Sequence, residues 1–208
     1  MTDPVAETIR SYELIAADYA LRNATATDRH HAHQAAFQSL VGSRALVADA
    51  GCGPGRDAAW FRARGLRVMG FDRSREMVRR AAAAGVPVAY GDLRALPVRA
   101  GALDGLWSAA ALLHVPRPEV AATLGGWRRV LRDGGVLGLS TSLGGNDGWE
   151  VVPYDVPAQQ MPGDVRRWFV HHDADELLGL VAAAGFRVES SAEGVASRRW
   201  LMMLATAT

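Results

Sequence analysis

Apolar residues follow two alternating periods along this chain. Over 4–21, Ile9, Tyr12, Ala16 and Tyr19 recur at helical spacing, with Asp3 as N-cap and Pro4 at the first helical position. A second helix is predicted over about 29–41. Short apolar runs at 45–50, 66–71, 86–90, 105–109 and 136–142 then read as strands. Helices fall between them: one over about 55–64, and one from Ser74 to near Gly85 with Met77, Val78, Ala81 and Ala82 on one face. A third starts at Pro118, carries the stripe Val120, Leu124, Trp127, Val130 and Leu131, and ends at Asp133-Gly134-Gly135. Residues 144–164, rich in Gly and Pro, read as a long loop, and 166–171 as a short extended segment. Asp173 caps a last helix with Leu177, Leu178, Val181 and Ala182, closed by Gly185, and strands at 186–191 and 199–205 follow.

Strands alternating with helices imply an α/β chain, a doubly wound and mostly parallel sheet with helices on both faces. The last two strands are separated by too few residues for a parallel crossover, so they are expected to be antiparallel. The pattern predicts one domain: an N-terminal helical cap at 1–42 and a core at 43–208, with 144–172 as a loop or lid on the substrate side.

The 208 residues suffice for a sizeable core, and 49% of them are apolar. The net charge of +1 gives no overall field for nucleic acid. All 23 basic residues are Arg. With no lysine, Schiff-base chemistry and a Walker-type phosphate loop are excluded. Cys52 is the only cysteine, so no intrachain disulfide or cysteine-based zinc cluster can form, and a cytoplasmic setting is expected. Asp3 and Glu7 make the N-terminus unlike a signal peptide, and no run approaches the roughly 18 apolar residues of a membrane helix. The sequence carries no signal for oligomeric state.

The run Val47-Ala48-Asp49-Ala50-Gly51-Cys52-Gly53-Pro54-Gly55-Arg56-Asp57 carries the most chemistry. It is a buried strand running into a glycine turn and a helix, where the backbone can pass close to a ligand and free N–H groups point the same way. Asp49 ends this strand, Asp72 ends the next and Asp92 follows the third. In an open α/β sheet, strand ends of this kind face the ligand crevice. Asp72, about 20 residues past the turn, is placed to accept both hydroxyls of a ribose. Asp92 is placed to accept from an adenine amino group. The dinucleotide pattern G-x-G-x-x-G fails at its last glycine, where Arg56 stands. A carboxylate at Asp49 would also repel a pyrophosphate.

These motifs resemble the class I S-adenosylmethionine (SAM)-dependent methyltransferases, whose first motif is an acidic residue followed by G-x-G-x-G. The resemblance extends to Leu103-Asp104-Gly105-Leu106-Trp107-Ser108, to Ala111-Leu112-Leu113-His114-Val115-Pro116, to Leu131-Arg132-Asp133-Gly134-Gly135 and to Ala184-Gly185-Phe186. Tyr12-x-x-x-Ala16-x-x-Tyr19 is similar to the N-terminal helix of small-molecule members. The resemblance implies a Rossmann-like, seven-stranded sheet with an antiparallel last strand. It implies SAM contacts at Asp49, Gly51, Gly53, Gly55, Asp72, Arg73, Asp92, Leu93 and Ser108. His114 is the candidate base or substrate-positioning group, since its ordinary pKa suits proton transfer near neutrality. Tyr12, Tyr19, Trp149, Phe169 and His171 are candidate substrate contacts, with a small molecule as the expected acceptor. At most one of His171 and His172 should face it, and the other should lie at the surface. Arg166-Arg167 and Arg198-Arg199 read as acid-gripping pairs or as solvated strand ends. His30, His31 and His33 lack the carboxylates of a metal site, so no metal is expected and a solvated or pocket-lining helix face is. A nicotinamide-dependent oxidoreductase and a non-catalytic SAM-binding accessory protein remain as alternatives.

Overall fold

The computed structural model describes residues 3–25, 27–151, 165–196 and 198–208. Helix α1 (Pro4–Arg22) is capped by Asp3, which accepts from the Val5 N–H at 2.9 Å. Helix α2 (Asp28–Val41) is capped by Thr27 and buries His33, Gln34 and Phe37. Then come β1 (Leu46–Ala50), α3 (Arg56–Arg62), β2 (Arg67–Asp72), α4 (Arg75–Ala83), β3 (Val88–Tyr90), β4 (Leu103–Ala109), α5 (Arg117–Val130) and β5 (Leu131–Leu143). The chain ends with β6 (Gly148–Val151), β7 (Arg166–Phe169), α6 (Ala174–Ala183), β8 (Phe186–Val195) and β9 (Arg199–Ala207).

Seven strands form one sheet in the order β3-β2-β1-β4-β5-β9-β8. β3 to β5 pair in parallel, whereas β9 is antiparallel to both β5 and β8. The short link from β8 to β9 forces the reversal. Successive side chains leave a strand on opposite faces. Thus Leu106 joins the core under α5 and α6 with Leu124, Trp127, Leu137 and Leu177, while Trp107 joins Phe37, Phe61, Leu66 and Val136 on the other face. The sheet closes two apolar layers, and its carboxyl edge is left to carry polar groups.

Two local features differ from the sequence reading. Helix α5 stops at Val130, and Leu131 already pairs with Leu103; the next pair is Gly105 with Val136, so the residues expected to form a separate turn bulge out of β5. Within the expected loop at 144–164, Gly148–Val151 pairs with β7 as a separate two-stranded sheet. Cross-strand pairing supplies the reason: Trp149 packs edge-on to Trp168 at 5.4 Å, and the Arg166 guanidinium lies 4.5 Å from the Trp149 ring centroid. Much of the remaining loop lies outside the described residues. Among the described residues, no helix is long and apolar enough to cross a membrane.

Candidate functional site

The glycine turn is fastened to β2 through its backbone. The N–H groups of Gly51 and Cys52 both donate to the Phe71 carbonyl, at 2.8 and 3.1 Å. Gly51 has φ +79°, and a Cβ there would lie 2.4 Å from the Ala111 Cβ. No side chain fits between β1 and the turn after β4. Gly53, at φ +53°, faces open space instead, with Tyr19 at 4.0 Å as its near neighbour. Its N–H donates to Asp72 Oδ2 at 2.8 Å. This is backbone exposed to a ligand's approach. Gly55 lies behind the turn, against Ala81 and Val86.

Carboxylates surround this turn, each in a different electrostatic state. Asp49 is buried, and its Oδ2 has no hydrogen-bond partner. Burial, reinforced by the neighbouring Asp57, holds its pKa well above the ordinary carboxylate range. Asp72 accepts from the Ser74 N–H through Oδ1, also at 2.8 Å, and burial raises its pKa. Burial would raise Asp92 too, but Arg94 and Arg73 outweigh it and lower the pKa. Arg94 Nη2 lies 2.7 Å and Arg73 Nη1 3.0 Å from its Oδ2. Asp92 is thus already engaged by two guanidinium groups, a feature its spacing in the sequence does not reveal.

A cleft opens along this edge. Asp49, Gly51, Gly53, Asp72, Arg73, Asp92 and Leu93 line it around the glycine turn, where Tyr19 also reaches Gly53, and Tyr12 and His114 line it away from the turn. Gly55 and Ser108 do not. Ser108 is fully buried and donates to the Ala50 carbonyl at 3.0 Å, which ties β4 to β1 rather than reaching the cleft. Trp149, Phe169 and His171 also lie off the cleft wall. Phe169 is buried behind His114 at 4.9 Å between ring centroids, and His171 pairs with Glu150 at 3.1 Å.

Among the lining residues that the sequence reading did not assign are Arg56 and Asp57, which pair with each other at 2.7 Å. Burial would raise the Asp57 pKa, but the His30 bond at 2.9 Å and Arg56 hold it well below the ordinary range. Trp107 Nε1 also donates to Asp57, at 2.9 Å. Their place inside the glycine motif was the available signal. It also corrects the picture of α2. His30 and His33 pack inward, with His33 tilted against Trp107 at 4.8 Å. Among the described residues, no cluster of three or more His, Cys, Asp or Glu side chains could hold a metal ion.

The far wall is assembled from distant segments. Tyr12 of α1 bonds His114 Nε2 at 2.8 Å, and Arg167 Nη1 donates to the Tyr12 hydroxyl at 2.9 Å. His114 Nδ1 lies 2.6 Å from the Trp168 carbonyl oxygen. Helix α1 is fastened at both margins: Glu13 accepts the Arg75 and Glu76 N–H groups at the start of α4, and Ser11 donates to the Arg166 carbonyl. Of the arginines expected to grip an acid or to be solvated strand ends, Arg199 is an exposed and Arg166 a half-exposed strand-end side chain, paired with Glu193 and Glu7; Arg198 instead pairs with Glu150, and Arg167 is buried and donates to Tyr12. His172, expected at the surface if His171 faces substrate, is buried.

Comparison with known proteins agrees with this geometry. Residues 47–135 match the family described as a methyltransferase domain. The malonyl-acyl-carrier-protein O-methyltransferase of Salmonella typhimurium is 32% identical over 132 residues, 60% of this chain and 52% of that protein. The chain thus matches about half the length of this curated relative. The 1,6-didemethyltoxoflavin-N1-methyltransferase of Burkholderia thailandensis, solved with its substrate and S-adenosylhomocysteine, superposes with a TM-score of 0.73 at 23% identity, covering 100% of this chain and 92% of that one. The magnesium protoporphyrin IX methyltransferase of Synechocystis, solved with SAM, gives 0.70 at 18% identity, covering 100% and 99%. Residues 47–135 match the methyltransferase-domain family, and the fold built around them is shared with these methyltransferase structures.

Proposed function

We propose that this chain transfers a methyl group from SAM to an oxygen or nitrogen of a small molecule by in-line displacement. The observation that carries the reading is a pair of carboxylates, the buried Asp49 and the half-buried Asp72, beside a glycine backbone in one cleft. SAM brings a methyl group already activated on a positive sulfonium. Asp49, with an uncompensated oxygen, suits a cationic ligand and disfavours a pyrophosphate. Asp72 is the acceptor for ribose hydroxyls, with Arg73, Asp92 and Leu93 beside the adenosine. Gly51 and Gly53 let the backbone approach the ligand. Tyr12, Tyr19 and His114 border the acceptor, with helix α1 of the cap beside it. The protein's part is then to position the nucleophile and exclude water.

The sheet order argues against the nicotinamide alternative, because the classic dinucleotide sheet is parallel in the order 3-2-1-4-5-6. Here antiparallel β9 is wedged between β5 and β8. Since the chain spans half of its curated relatives, the acceptor is named only by class: the Salmonella typhimurium relative supports oxygen and the toxoflavin enzyme nitrogen. A cytoplasmic setting accords with the single cysteine. Calorimetry with SAM and S-adenosylhomocysteine tests the proposal. Binding of both is expected, and absence of both would sink it. Binding with no turnover across a broad acceptor panel would favour an accessory role.

A further inference from the structure

The cleft wall opposite the glycine turn has a hydrogen-bond chain whose direction is fixed at both ends. The Trp168 carbonyl can only accept, so His114 carries its hydrogen on Nδ1. Nε2 of the neutral ring is then an acceptor, and the Tyr12 hydroxyl donates to it. The Tyr12 oxygen accepts in turn from Arg167, which can only donate. A second proton on His114 would place an N–H on Nε2 against that oxygen and bracket one hydroxyl with two cations.

The surroundings reinforce the neutral form. The ring is faced by Tyr12 from α1 and by Arg167, Trp168 and Phe169 from β7. Arg198, just before β9, lies 4.4 Å from the Phe169 ring centroid. The nearby carboxylate of Glu150 is spent on Arg198 and His171. Burial, helped by Arg167 and Arg198 and opposed by the Trp168 bond, brings the His114 pKa down to about 3. Among the described residues, the cleft's other ionisable groups do not replace it as a base. Asp57 and Asp92 are held by His30 and arginines, and Asp49 and Asp72 belong to the glycine-turn side.

We propose that His114 is a positioning residue rather than a base. It is held neutral with its proton on Nδ1 and fixes the Tyr12 hydroxyl in the acceptor wall. The methyl acceptor must therefore bring a nucleophile with no proton to lose near neutral pH, such as a carboxylate or an unprotonated ring nitrogen, in place of an alcohol or alkylammonium group. This rests on the methyl-transfer reading above.

The test is long-range proton–nitrogen NMR on histidine-labelled protein, free and with S-adenosylhomocysteine, from about pH 5 to pH 8, the window in which an ordinary histidine titrates. His114→Gln assigns the ring; if that variant does not fold, Tyr12→Phe assigns it through the Nε2 shift. The expected result is a protonated Nδ1, a bare Nε2 and no titration across the window. A ring that titrates within it, or that carries its proton on Nε2, overturns the proposal. Turnover of hexylamine or hexanol, read as S-adenosylhomocysteine release, overturns the acceptor class. Failure of S-adenosylhomocysteine to bind would instead strike the methyl-transfer reading, because the free protein still reports the tautomer.

Discussion

The two sides of the cleft are built by different means. On the glycine-turn side, one contiguous stretch from β1 into α3 meets the ends of β2 and β3. Its key contacts are to backbone: Gly51 and Cys52 to the Phe71 carbonyl, Gly53 and Ser74 to Asp72. On the acceptor side, α1, the turn after β4 and β7 are joined mostly by side chains, through Tyr12, His114, Arg167 and Ser11. The first arrangement is set by the backbone of the sheet, so a substitution that disturbs that backbone or its acceptors disturbs fold and ligand together. The second depends on each partner, and it is where acceptor specificity can change without disturbing the fold.

Substitutions can break this contrast, and the largest effect is expected at Gly51. Gly51→Ala would force a Cβ against Ala111 at a left-handed backbone position. It should cost about 3 kcal/mol in denaturant unfolding and abolish S-adenosylhomocysteine binding. Asp72→Ala comes next: removing a charged acceptor should weaken S-adenosylhomocysteine about 10–100-fold by calorimetry, and an unchanged affinity would end the ribose assignment.

The pH dependence of stability sharpens the contrast further. Burial is the leading cause of the low pKa values of His33, His114 and His172, about 4, about 3 and about 4. They stay neutral when folded, whereas the unfolded chain takes up their protons below about pH 6.5. Stability is therefore full above that value and falls as pH drops toward 4, by up to about 1.4 kcal/mol per pH unit for each ring. Asp49 runs the other way: its raised pKa makes the folded state hold a proton longer, which softens the acid loss. Asp49→Asn should steepen the decline of urea midpoints with falling pH. The smallest effects distinguish lining residues from supporting ones. Ser108→Ala should cost about 1 kcal/mol of stability through its lost bond to Ala50, with no change in S-adenosylhomocysteine affinity. Trp149→Ala should likewise leave that affinity unchanged.

How much of this was legible follows the same division. Glycine, strand ends and helix caps speak through local spacing, so Asp49, Asp72 and Asp92 could be placed together before any coordinates. Asp92 shows the limit: its position was readable, but not its capture by Arg94 and Arg73. Ser108 was carried over as a cofactor contact by resemblance alone, and its hydroxyl turned out to tie β4 to β1. The sheet of β6 and β7 rests on paired tryptophans and an arginine, a cross-strand match that leaves no periodic trace in either segment.

By itself, then, the amino-acid sequence determined the alternation of helices and strands in the main sheet, the reversal of the last strand and the acidic glycine turn, because each depends on residues close along the chain. Only the tertiary structure decided the acceptor wall. Tyr12 meets His114 across 102 positions and Arg167 across 155. Hydrogen bonds over such separations depend on how whole elements pack, and it is that packing which makes His114 a neutral ring in a fixed chain rather than an ordinary histidine near neutral pH.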